Sequence, residues 1–199
     1  MYLAGLQKLT LLDYPQHVAC TVFTAGCNLR CPFCHNSDLV LPDRRPEPLE
    51  EDAFFAFLKK RRGILEGVCV TGGEPLLQKD IRSFLRAIKD MGYAVKLDTN
   101  GTFPDLLQSL RAEGLVDFVA MDIKNSPARY AETCGLAAMD LTPIRRSAEF
   151  LLPPLLCAMM NASTSCMVIV LQRASSLRRL WYLANALRSR SYAAAVFSL

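Results

Sequence analysis

The chain has 199 residues, 51% of them hydrophobic and 21% charged, a composition that supports one sizeable core and excludes a disordered polymer. Its longest apolar run, residues 150–160, is broken by Pro153 and Pro154, too short for a transmembrane helix, and Asp13 interrupts the N-terminal apolar run too early for a signal peptide. A net charge of +4 with no basic run leaves no nucleic-acid footprint, so the expectation is a soluble, cytoplasmic protein with neither nucleic acid nor membrane as partner.

In chain order, 17–24 is a β-rich run ending in Ala25-Gly26, and Cys27, Cys31 and Cys34 follow it directly. The other five of the eight cysteines are scattered at 20, 69, 134, 157 and 166. In a reducing compartment such thiols stay free, bind metal or do redox chemistry; Cys20 and Cys69, inside strand-like runs, read as small buried hydrophobes. Residues 39–48 form a Pro-punctuated loop. Residues 50–62 read as a helix with acids in its first turn, bases in its last and Gly63 beyond.

Residues 68–70 are a short strand that enters Thr71-Gly72-Gly73-Glu74-Pro75. Ile81, Phe84, Leu85 and Ile88 give 80–91 helical spacing, stopped by Gly92. The pattern then repeats: strand 93–97 enters Asp98-Thr99-Asn100-Gly101, helix 104–113 stops at Gly114, and strand 118–121 enters Asp122-Ile123-Lys124. A further helix is expected over 141–152, with Thr142 as N-cap and Pro143 in the first helical position. Strands and helices recurring at this spacing fit βα units with right-handed crossovers, an α/β fold built as a barrel or an open parallel sheet.

Four strands therefore end in four chemically distinctive turns. Ligands of such folds bind at the carboxyl ends of the strands, so the four turns predict one composite site along one rim. The cysteines are spaced C-x3-C-x2-C. Structural zinc would want a fourth ligand; His35, adjacent to Cys34, is badly placed to serve, and there is no second C-x2-C pair. An iron–sulfur cubane held by three thiolates, its fourth iron open to substrate, fits better than zinc or unligated thiols. Two adjacent glycines let backbone approach a ligand, an acid suits an ammonium, and Lys124 suits a carboxylate. In isolation Asp98 and Asn100 read equally as turn formers and Lys124 as a solvated loop lysine.

C-x3-C-x2-C with Phe33 just before the third cysteine resembles the signature of the radical S-adenosylmethionine (radical SAM) superfamily. The stretch Gly5-Leu-Gln-Lys-Leu-Thr-Leu-Leu-Asp-Tyr-Pro15, with Cys34-His35-Asn36, is similar to the activating proteins of anaerobic ribonucleoside-triphosphate reductase, which belong with the glycyl-radical-enzyme activases. The resemblance extends over about residues 3–150 and implies a partial (βα)6 barrel. It also implies a [4Fe-4S] cluster on Cys27, Cys31 and Cys34, and S-adenosyl-L-methionine chelating the open iron. Phe33 would then pack near the adenine. Gly72, Gly73 and Glu74 would contact the methionine amino group, and Asp98, Asn100, Asp122 and Lys124 the amino group, ribose and carboxylate.

The implied activity is reductive cleavage of that cofactor to a 5′-deoxyadenosyl radical, which generates a glycyl radical on the reductase. The implied partners are that glycyl radical enzyme and a flavodoxin- or ferredoxin-type electron donor. Competing readings are a 7-carboxy-7-deazaguanine synthase-like radical enzyme, which the N-terminal stretch disfavours, and a non-catalytic metal-binding module.

Two features depart from the resemblance. Gln16-His17 stand where relatives commonly carry Gly-Lys, and the last 49 residues differ in kind from the rest. Residues 1–150 carry a net charge of −1, whereas 151–199 hold five Arg, no Lys, no acid and no glycine. The expected organisation is a radical SAM core over 1–150 and, over 151–199, a C-terminal part of the same domain that is frameshifted or divergent and leaves the barrel incomplete. Read in frame, 167–171 would be the fifth strand, 177–187 an amphipathic helix and 193–199 the sixth strand.

Overall fold

The computed structural model of the chain describes residues 1–152, 166–172 and 180–185. Their strands form one seven-stranded sheet in sequential order: β1 (Leu3–Thr10), β2 (Ala19–Thr24), β3 (Gly67–Gly72), β4 (Ala94–Thr99), β5 (Phe118–Ile123), β6 (Cys166–Gln172) and β7 (Leu180–Asn185). Strands β2 to β5 are parallel, with Val22 opposite Val70, Val70 opposite Leu97 and Leu97 opposite Val119. The α/β fold expected from the alternation of elements, and the partial barrel that the resemblance implies, are thus present, and the parallel part comprises four strands.

Parallel strands need crossovers, and these supply the helices: α1 (Ser37–Val40) and α2 (Glu51–Lys60) between β2 and β3, α3 (Ile81–Asp90) before β4, and α4 (Pro104–Ala112) before β5. After β5 come α5 (Tyr130–Thr133) and α6 (Thr142–Leu151). The apolar stripe of α3 buries Ile81, Phe84, Leu85 and Ile88, and Phe84 stacks on Phe54 of α2 at 5.3 Å between ring centroids. Burying each such aromatic side chain is worth roughly 2–3 kcal/mol, so the outer helices are fixed mainly by these contacts. The interior runs of β2 and β3 are buried almost continuously, as strands of a covered parallel sheet must be.

Four local expectations are corrected. Strand β1 was not read from the sequence, because Leu-Ala-Gly-Leu-Gln-Lys-Leu-Thr lacks clean alternation; it pairs antiparallel with β2 through two register shifts. Its return to β2 is held by Thr10 Oγ1, which accepts from the amides of Leu12 and Asp13, and by Thr21, which donates to Asp13 at 2.6 Å. His17, expected at strand entry, instead stacks on the buried ring of Tyr14 at 4.2 Å, and β2 begins two residues later. The loop over 39–48 contains the end of α1 and a 3-10 turn, Pro42–Arg44. At α6 the cap is displaced by one residue. Leu141 occupies the N-cap and Thr142 the first helical position, because Asp140 takes over the capping and accepts from the Thr142 amide at 2.9 Å.

Beyond residue 150 the sheet continues antiparallel. Strand β6 spans the expected fifth strand but runs opposite to β5, with Ala120 facing Val170. Strand β7 lies where the in-frame reading placed an amphipathic helix. Its Leu-Trp-Tyr-Leu core is β-prone, and pairing with the edge of β6 outweighs its helical spacing. The expected strand over 193–199 lies outside the described residues. Among the described residues no helix is long and apolar enough to cross a membrane.

Candidate cofactor site

Because β2 to β5 are parallel, their carboxyl ends share one edge, and the turns leaving them line a single cavity of about 570 Å³. Cys27, Cys31, Phe33 and Cys34 form one side of its wall, Gly72 and Gly73 a second, and Asp98 with Asn100, then Asp122 with Lys124, the remainder. Of the expected site residues, Glu74 does not lie on the wall.

The cysteine turn starts at Gly26, which has φ +88° and donates to the Leu39 carbonyl at 2.8 Å. The Leu29 amide then donates to Cys27 Sγ at 3.4 Å, and the Cys34 amide to the Cys31 carbonyl at 3.1 Å. Phe33 is 53% exposed, an uncovered aromatic face at the cavity wall. Burial pushes the Cys27 thiol up, opposed by the Leu29 amide. The Cys31 thiol is pulled down to about 6, first by its hydrogen bond with the Cys134 thiol and further by the Lys124 ammonium, against the effect of its own burial.

The glycines of the second turn are required by the protein's own backbone. A Cβ on Gly72, which has φ +122°, would overlap Thr24, and one on Gly73 would overlap the Gly26 carbonyl. This closeness allows the Gly73 amide to bond Thr24 O at 2.9 Å and the Glu74 amide to bond Gly26 O at 2.7 Å, tying the second turn to the first. Glu74 is fully buried, and its carboxylate accepts from the Leu76 amide (3.1 Å), Thr99 Oγ1 (2.8 Å) and the Asn100 amide (2.7 Å). Burial nevertheless raises its pKa to about 7. The carboxylate thus ties the second turn to the third, while the backbone of Gly72 and Gly73 faces the cavity.

On the third turn Asn100 Nδ2 donates to Asn28 Oδ1 at 2.8 Å and approaches Cys27 Sγ at 3.9 Å. Asp98 pairs with the buried Lys96, and Cys69 Sγ lies 3.6 Å from both Asp98 Oδ2 and Lys96 Nζ. Burial pulls the Lys96 pKa down, but Asp98 and Cys69 more than offset this and hold the ammonium charged. On the fourth turn Lys124 Nζ bonds Asp122 Oδ2 at 2.7 Å, and the Lys124 amide donates to Tyr130 Oη at 3.2 Å.

Two side chains beside the expected site residues, Lys96 and Cys134, were not among them. Lys96 was readable, since two residues before Asp98 on a strand means the same face. Cys134 carried no local signal: its neighbour in space is Cys31, and only the folded α5 brings them together. Cys69 is buried as expected, yet its thiol contacts a charged pair rather than apolar packing alone.

The donor set fits a thiolate-held cluster. Three thiols share one wall, the cavity leaves room beside them for a ligand, and charges of both signs face that room. Among the described residues no three His, Cys, Asp or Glu side chains gather closely enough to enclose a single ion.

A parallel α/β half-barrel with three clustered thiols at its carboxyl rim describes a class of cofactor-dependent enzymes. The chain belongs to the radical SAM superfamily, which it matches over residues 21–145, and membership implies a [4Fe-4S] cluster and S-adenosylmethionine. It is 37% identical over 133 residues to a Methanocaldococcus jannaschii protein provisionally named a glycyl-radical enzyme activating enzyme, covering 65% of this chain and 52% of that protein. It is 28% identical to the 7-carboxy-7-deazaguanine synthase of Thermococcus kodakarensis, over 61% of this chain and 55% of the relative. It is 36% identical to the pyruvate formate-lyase-activating enzyme of Listeria monocytogenes, over 52% and 45% respectively. The chain spans about half the length of the curated relatives it matches.

Proposed function

We propose that the chain is a glycyl-radical-enzyme activating enzyme whose target is an anaerobic ribonucleoside-triphosphate reductase. It would work in the cytoplasm with a flavodoxin- or ferredoxin-type electron donor. The observation that carries this reading is the meeting of the cysteine turn with the Asp98–Asn100 and Asp122–Lys124 turns around one cavity. One of the relatives described above is provisionally named a glycyl-radical enzyme activating enzyme and another a pyruvate formate-lyase-activating enzyme, and the Gly5–Pro15 stretch favours the reductase as target.

A [4Fe-4S] cluster held by the three cysteines would supply the one electron that reductive cleavage of S-adenosylmethionine requires. The chain's own residues bind, orient and exclude water. Cys27, Cys31 and Cys34 would hold the cluster. Asp98 would take the methionine ammonium with its remaining lone pairs, since Lys96 and Cys69 already fix the direction of its carboxylate. Lys124 would take the methionine carboxylate as a point charge, and Asp122, beside it, the ribose hydroxyls. Gly72 and Gly73 offer backbone rather than side chain to the ligand, and Phe33 offers a ring face for stacking on adenine. Glu74 acts as a positioning residue, because its oxygens are occupied by three donors from the strand ends.

The test is electron paramagnetic resonance on the reductase after incubation with the reconstituted, reduced chain and S-adenosylmethionine. A glycyl radical doublet that Cys31→Ala abolishes is expected. Cofactor cleavage with no radical on the reductase would transfer the target to another enzyme or to deazaguanine chemistry, as the similarity to a 7-carboxy-7-deazaguanine synthase allows.

A further inference from the structure

Cys134 has no part in the proposed chemistry, yet the fold presses it onto the cysteine turn. Its side chain is fully buried, and its carbonyl accepts from the Arg30 amide at 2.9 Å. The next residue, Gly135, has φ +68°, and a Cβ there would overlap the Arg30 carbonyl, so the approach depends on glycine. The segment is also held from behind. The Cys134 amide bonds the Tyr130 carbonyl at 2.9 Å, Asn125 Nδ2 donates to Thr133 Oγ1 at 2.8 Å, and Tyr130 Oη receives the Lys124 amide. The result is that Cys134 is fastened to the residue preceding Cys31, with Cys31 on the cavity wall and Cys134 buried behind it. Cys27, by contrast, directs its sulfur to the Leu29 amide and Asn100.

We propose that Cys31 and Cys134 form a reversible disulfide in the cluster-free chain, closed by a low-molecular-weight disulfide such as oxidised glutathione, and that this bond withholds Cys31 from iron. Cys31 faces the cavity and is the thiol such an oxidant reaches. Its sulfur attacks one glutathione sulfur, giving a mixed disulfide and releasing one glutathione thiol. The Cys134 sulfur then displaces the second glutathione and closes the intramolecular bond. Two protein thiols are oxidised, one glutathione disulfide is reduced to two thiols, and the protein's two protons leave with them. While the bond stands, Cys31 is shielded from sulfinic and sulfonic oxidation, and a thiol reductant returns it to cluster assembly. Formation of the bond is independent of the function proposed above; its consequence for iron rests on Cys31 being a cluster ligand.

The test uses the full chain, stripped of metal under anaerobic conditions, treated with oxidised glutathione, alkylated and peptide-mapped. The expected product is a Cys31–Cys134 linked peptide that disappears on treatment with dithiothreitol. Iron and sulfide uptake should be lost in the oxidised chain and restored by reduction. Cys134→Ala should stop at a glutathione adduct on Cys31; should that variant not fold, the wild-type map decides alone. A link between Cys31 and Cys27 or Cys34, with Cys134 alkylated, would overturn the proposal. A Cys31–Cys134 bond that leaves iron uptake undiminished would overturn the switch and place the fault in Cys31's role as ligand, not in the pairing.

Discussion

Gln16 is the non-glycine residue with positive φ among the described residues, at +66°, and it stands at a position where the resemblance implies glycine. A side chain in this left-handed region costs roughly 1 kcal/mol relative to a residue without a Cβ. Gln16→Gly is therefore expected to raise stability by up to about 0.5 kcal/mol, after the larger chain entropy of glycine is deducted, as measured by urea unfolding. Unchanged or lower stability would mean that the Gln16 side chain contributes contacts that outweigh the strain. The resemblance marks a departure at this position, but only the dihedral angle gives it an energetic sign. The cysteine spacing, the glycine pair and the polar residues after β4 and β5 were legible in the same way, because each is a local pattern with a local cause. Glu74 was read as a ligand-facing acid for the same local reason, whereas its actual partners, Thr99 and the Asn100 amide, come from the end of another strand.

At the scale of elements, Glu74 works as a tie between β3 and β4. Its carboxyl has an ordinary pKa of 4.5 in an unfolded chain and about 7 when buried in the fold. The folded state thus keeps a proton that the unfolded chain releases, so this group favours folding at pH below 4.5, and that contribution is lost as pH rises through 4.5 towards 7. Urea midpoints of the wild type should decline over this window more steeply than those of Glu74→Gln, which cannot ionise. Equal slopes would show that the three donated hydrogen bonds keep the carboxylate at its ordinary value. The legibility of the elements follows the same division between local and distant causes. Helix α3 could be read from its own periodicity, and β4 and β5 from short apolar runs between turn signals. Strand β1 could not, because its bulged pairing is imposed by β2. Strand β7 could not, because its pairing with β6 decides between two patterns its residues satisfy equally.

For the molecule as a whole, the fold places four chemically distinct turns at one edge by making β2 to β5 parallel, and hydrogen bonds then fasten those turns to one another. Glu74 joins the second to the third, the Gly73 and Glu74 amides join the second to the first, and the Cys134–Gly135 segment joins the region after the fourth to the first. The composite site was legible in outline, since strand ends in an α/β fold converge. The ties were not, because each joins residues far apart in sequence. We propose that these turns together hold a cluster and S-adenosylmethionine for reductive cleavage. This is tested most directly by measuring 5′-deoxyadenosine after anaerobic reconstitution and reduction with dithionite, with iron and sulfide counted in the same sample. Release of 5′-deoxyadenosine is expected from the wild type and none from Cys31→Ala; zinc in place of iron, or a fully loaded cluster that releases none, would overturn this reading.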